Sequence, residues 1–182
     1  MKTTLSLGLL LVTGTLIPLA HSSDVILSGK STSTITAFVK NPNNLFVTDS
    51  FGGWFDQGLE MQQPGSWSSP YEVQARLRIV SSTGIFQVRM DAEPQIRHIK
   101  NPTLVFRKPS VSFGLEGEPM KLLVVARNTE FRNPKAPNAD EDSIGFYQLA
   151  VSAMPPVGSF KDTSGLYSGE LSLTFEPVAV DP

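Results

Sequence analysis

Proline punctuates this chain from end to end. The 182 residues hold 14 prolines, at positions 18, 42, 64, 70, 94, 102, 109, 119, 134, 137, 155, 156, 177 and 182. A helix interior excludes proline, because the ring removes a backbone donor and clashes with the preceding turn. The longest proline-free gap after the N-terminal stretch, 71 to 93, alternates strictly. Tyr71, Val73, Ala75, Leu77 and Ile79 fall on one face, against Glu72, Gln74, Arg76 and Arg78. After Ser81-Ser82-Thr83-Gly84, the residues Phe86, Val88 and Met90 alternate with Gln87, Arg89 and Asp91. Period-two alternation predicts half-buried strands, here joined as a hairpin.

The same signal recurs downstream. Thr103–Phe106, Leu122–Ala126 and Gly145–Ala153 are short apolar runs between turn formers. The last strand is predicted from Tyr167 to Glu176, with Tyr167, Gly169, Leu171, Leu173 and Phe175 on one side. The segment from Asn128 to Ser143 carries two prolines and Asp140-Glu141-Asp142, and is expected to be a long exposed loop. Many short strands with turns between them predict an all-β fold, a two-sheet sandwich of the immunoglobulin-like class.

The N-terminal stretch reads differently. Lys2 precedes an apolar run from Leu5 to Leu19, broken by Gly14 and Pro18 and followed by Ala20-His21-Ser22. That is the pattern of a secretory signal peptide over residues 1–22, with cleavage expected after Ser22, and it is too short for a membrane span. Residues 23–40 follow, rich in Ser, Thr and β-branched residues. Ile35, Ala37 and Val39 alternate with Thr34, Thr36 and Phe38, so this segment is β-prone, yet no tight turn folds it back on itself. Such an extension is expected to pair elsewhere, a second molecule included. Residues 41–182 are expected to form one domain.

Composition removes much chemistry. Absence of cysteine excludes disulfides, a thiol nucleophile and a thiolate metal site. A net charge of −2 without a basic block argues against a nucleic-acid partner. His98 is the only histidine beyond the leader, and no G-x-S-x-G elbow accompanies it, so an exposed strand-end histidine is expected rather than a catalytic one. The acidic run 140–142 lacks the glycine and distal glutamate of a calcium loop, and no metal or cofactor is expected. Arg76, Arg78, Arg89, Arg97, Lys100, Arg107 and Lys108 read as the wet face of a sheet, with a polyanion-binding stripe as the alternative. Trp54 and Trp67 lie near loops; they read as core aromatics or as a sugar-stacking surface.

Three blocks carry a family resemblance: RLRIVSSTGIFQVRMDAEPQIRH at 76–98, residues 101–131 with a glycine-containing hairpin at 114–117, and residues 149–176 ending in GLYSG and the final alternating strand. In their order and spacing they resemble the cysteine-free pilins of the chaperone–usher pathway, the alpha-clade, colonisation-factor type of fimbrial major subunit. The resemblance implies a non-enzymatic structural subunit of surface fibres for bacterial adhesion, whose sandwich lacks one edge strand. It implies a periplasmic chaperone, an outer-membrane usher and other pilin subunits as partners, with a host receptor unassigned. It implies a donor strand within Ser31–Lys40 of the 23–40 extension, with Ile35, Ala37 and Val39 as plugs, and an acceptor groove walled in part by Leu171, Leu173 and Phe175. Strand donation of this kind is an established mode of β-augmentation. The competing reading is a secreted carbohydrate-binding sandwich using Trp54 and Trp67.

Overall fold

The computed structural model describes residues 29–31, 34–37, 44–53, 55, 58–138 and 141–179, the first two segments as backbone only. The leader (1–22), Val39, Trp54 and Asp140 lie outside the described residues. The fold is all-β, as the alternation predicts. In chain order the strands are β1 (Gly29–Ser31), β2 (Thr34–Ala37), β3 (Leu45–Asp49), β4 (Leu59–Met61), β5 (Tyr71–Ser81), β6 (Ile85–Met90), β7 (Arg97–His98), β8 (Arg107–Leu115), β9 (Lys121–Leu122), β10 (Thr129–Arg132), β11 (Ser143–Met154), β12 (Tyr167–Ser168) and β13 (Ser172–Pro177). One helical turn, Phe160–Thr163, interrupts them and buries no side chain.

Two sheets face each other. One has the order β3-β5-β11-β8-β9, the other β10-β6-β13-β2, and the short pairs β1-β4 and β12-β7 close one end. All pairings between these strands are antiparallel except β13 with β2. The long strands bury alternate residues, β11 doing so along its whole length. From one sheet Phe113 and Tyr147 stack at 5.1 Å. From the other, Phe86 meets Tyr147 edge-on at 5.2 Å and Phe175 meets Phe113 at 5.8 Å. Each buried ring removes a large apolar surface from water, and the edge-to-face contacts fix how the layers interlock.

The hairpin expected at 71–91 is absent. β5 and β6 lie in different sheets, so Ser82–Gly84 is an arch from one layer to the other. The alternation was read correctly, since Leu77, Ile79, Phe86 and Val88 are all fully buried. An arch turns the two apolar faces toward each other, whereas a hairpin would have set them side by side. A polar clamp holds it: Ser143 Oγ donates to Ser81 O at 2.7 Å, and Gly84 N donates to Ser81 Oγ at 3.1 Å. Asn133 Nδ2 reaches the carbonyls of Ile79 and Ser143, both at 3.0 Å, while Tyr147 Oη donates to Asn133 Oδ1 at 3.0 Å.

Four smaller expectations also change. Thr103–Phe106 is a turn with a single bridge, Arg97 to Val105, and β8 begins only at Arg107. Within Leu122–Ala126 only Leu122 is in a strand. Buried Leu123 donates to Val111 O, and at Ala126 (φ 57) the chain bonds Met90 O and so crosses to the other sheet. The loop expected over 128–143 contains β10, an edge strand whose Phe131 is buried. The final strand is broken into β12 and β13, and Gly169 in the break packs so close to Gln95 and Ile96 that a Cβ there would collide. The basic residues form no single stripe. Arg76 bonds Glu116 at 2.6 Å on one sheet, Arg89 bonds Asp91 at 3.3 Å on the other, and Arg97 contacts Gln95 and Pro102 O.

Candidate functional site

The final strand sits between β6 and the leading strand. Leu173 pairs with Met90 and Phe175 with Val88 on one side. On the other side, β2 runs parallel to β13, with Thr34, Ile35, Thr36 and Ala37 in register with Ser172, Leu173, Thr174 and Phe175. Upstream, β1 pairs with β4. The leading segment therefore has partners in its own chain, which no local turn in the sequence announces. Leu171, Leu173 and Phe175 are buried at 3%, 0% and 0% exposure and point into the core.

A carboxylate fixes the position of β13. Asp91, just past β6, accepts from Ser172 Oγ at 2.8 Å and from Thr174 Oγ1 at 2.9 Å, with Arg89 Nε at 3.3 Å. Asp91 N donates to Ser172 O as well. Partial burial pushes the Asp91 carboxyl up, but the hydrogen bonds from Ser172, Thr174 and Arg89 outweigh it and hold the pKa below the ordinary value. Thr174 is thus a buried polar residue in an apolar strand with its hydroxyl satisfied.

At the end where β5 begins and β11 ends lies a cavity of about 350 Å3. Tyr71, Phe106 and Tyr167 wall it in an edge-to-face chain, with ring centroids 5.2 and 5.0 Å apart. Tyr167 Oη donates to Thr163 O at 2.6 Å and so ties down the 155–165 excursion. Trp67 stands at the rim, 78% exposed, so of its two readings the core one does not hold. The walls come from residues spread over a hundred positions, among which the sequence marks Trp67 as a sugar-stacking candidate.

His98 is half-buried, not exposed. Its Nδ1 accepts from the backbone N–H groups of Lys100 and Asn101 at 3.1 and 2.9 Å, and its ring meets Tyr167 edge-on at 5.0 Å. An imidazole so held shapes a turn. Among the described residues no three His, Cys, Asp or Glu side chains gather as metal ligands would, and no helix is long and apolar enough to cross a membrane.

No family model matches the chain, and no curated protein matches it. Seven solved chains match. One of them is the CooA pilin subunit from enterotoxigenic Escherichia coli, at a TM-score of 0.41 and 14% sequence identity. That alignment covers 76% of this chain and 99% of the pilin.

Proposed function

We propose that this chain is a structural fimbrial subunit, exported and assembled into surface fibres for adhesion by lending its leading segment to a neighbour. The observation that carries the reading is the arrangement at β13. Among the described residues, the flank of this buried strand opposite β6 is covered by β2, a four-residue strand from the N-terminal region of the chain, paired in parallel. Parallel ladders are somewhat weaker per residue than antiparallel ones. A strand held that way is one that a neighbour's copy of the same segment can replace.

Ile35, Ala37 and Val39 are the proposed plugs, and the strand bearing Leu171, Leu173 and Phe175 is the proposed acceptor. Burying three to five donor side chains contributes about 1.5–3 kcal/mol each, so one joint is worth on the order of 5–15 kcal/mol. That rivals the stability of a whole domain, and it lets a fibre without cysteine resist dissociation. An open β13 edge would aggregate, so a chaperone must cover it before assembly and an usher must supply the next subunit. The proposed role is non-enzymatic.

Because the chain has no cysteine, introduced thiols report cleanly. Subunits carrying Ile35→Cys are assembled with differently tagged subunits carrying Leu173→Cys, then oxidised. The expected result is a disulfide between the two tags, and loss of fibres when residues 23–40 are deleted. Polymerisation of the deleted subunit, or crosslinks formed only within a double-cysteine chain, would refute the reading.

A further inference from the structure

We propose that the aromatic-walled cavity at the β5/β11 end is a binding site for an N-acetylated hexose. This inference stands independently of the fibre reading. The cavity's volume, about 350 Å3, lies at the low end of small-ligand sites, and its lining is dominated by apolar surface. The edge-to-face chain of Tyr71, Phe106 and Tyr167 gives the cavity an aromatic wall, against which a methyl group packs and an unpaired ligand charge is disfavoured.

The polar groups on the lining divide into used and open. Tyr167 Oη is spent on Thr163 O. Tyr71 is 9% exposed, and its hydroxyl has no partner among the described residues. Burial raises its pKa, so the phenol stays protonated and can donate. Arg107 spends Nε on Pro155 O at 3.0 Å, leaving its terminal amino groups open. Gln63 donates its amide hydrogens to Trp67 O and Ser69 O, at 3.0 and 2.8 Å, which leaves Oε1 to accept. A buried donor left unmet is costly, so a ligand carbonyl that reaches Tyr71 is favoured over one that does not.

Those open groups match one chemical unit. An acetamido group presents a methyl to the apolar floor, a carbonyl to Tyr71 and Arg107, and an N–H to Gln63 Oε1. The pyranose ring that bears it then lies at the rim, where the Trp67 indole offers a flat, water-exposed face. The same two bonds that engage Gln63 hold the backbone at Trp67 O and Ser69 O, which places the indole at the cavity rim before a ligand arrives.

The test uses the full mature chain with Trp54→Phe, so that Trp67 is the sole indole. N-acetylglucosamine and N-acetylgalactosamine are titrated against its fluorescence, with glucose and phenol in parallel. At least one of the two N-acetylated sugars is expected to saturate the signal with a Kd of about 1 mM, and glucose to bind at least tenfold more weakly. Tyr71→Phe is expected to weaken binding about two- to tenfold with thermal unfolding little changed. Saturation-transfer NMR of the acetyl methyl is expected to vanish in Trp67→Ala, a change at an exposed site. No saturable response to either sugar, equal binding of glucose, or phenol as the tighter ligand would each overturn the proposal.

Discussion

Replacing Asn133 with leucine isolates the clamp that makes the sandwich close. The side chains are similar in volume, so the change is chiefly the loss of an amide. Four groups lose their partner: the carbonyls of Ile79 and Ser143 and the hydroxyls of Ser143 and Tyr147. Ile79 and Tyr147 are fully buried and Ser143 is 6% exposed, so water does not readily replace the amide. At about 1–3 kcal/mol for each unsatisfied group, and with the carbonyls keeping other bonding options, Asn133→Leu is expected to cost about 2–5 kcal/mol. Tyr147→Phe removes one donor and leaves Asn133 Oδ1 half-exposed, for a cost of about 1 kcal/mol. The double variant is expected to be more stable than the sum predicts by about 1 kcal/mol, since the orphaned phenol is gone. Urea denaturation of all four proteins at neutral pH measures this. Strict additivity, or a single-variant cost below about 0.5 kcal/mol, would refute the idea that Asn133 binds arch to sheet.

Three further outcomes are expected. Asp91 has a folded pKa below its unfolded value, so its contribution is fully present above the unfolded pKa and is lost as pH falls through the folded one. Unfolding midpoints between pH 6 and pH 3 should therefore drop less in Asp91→Asn than in the parent, and equal drops would contradict the assignment. Gly165→Ala places a methyl against the His98 imidazole at a φ of 148°, and is expected to cost about 1–3 kcal/mol, part of it recovered in a His98→Ala background. Phe175→Ala empties a fully buried site against Phe113 and is expected to cost about 3–5 kcal/mol in thermal or urea unfolding.

The strands were legible because period-two alternation reports burial directly. Leu77, Ile79, Phe86 and Val88 were assigned inward from the pattern alone, and they are inward. The partner of a strand was not legible, because an arch and a hairpin share the same alternation; β5 and β6 show the difference. β10 was hidden by its shortness and by the charged and proline residues around Phe131. β1 and β4 are three residues each, below the length at which alternation can be read. Leu171, Leu173 and Phe175 are legible from pattern as inward-facing residues, while their acceptor role comes from the family resemblance; Trp67 stands out by its place between turn formers. The cavity behind Trp67 was invisible, since Tyr71, Phe106 and Tyr167 meet only through the tertiary fold.

The position of β13 constrains how the chain comes into being. It is the last of the described strands, and yet it lies inside the four-stranded sheet with a neighbour on each flank. A chain synthesised N-terminus first cannot set that strand in place until all the strands before it have been made. Until then β6 has an empty flank and Phe113 lacks one of its ring contacts. Closure waits on contacts between the two extremes of the polypeptide, the slowest kind to form. A chain stopped before β13 would leave the sheet with a gap between β6 and β2, so synthesis must pass Pro177 before this sheet can close.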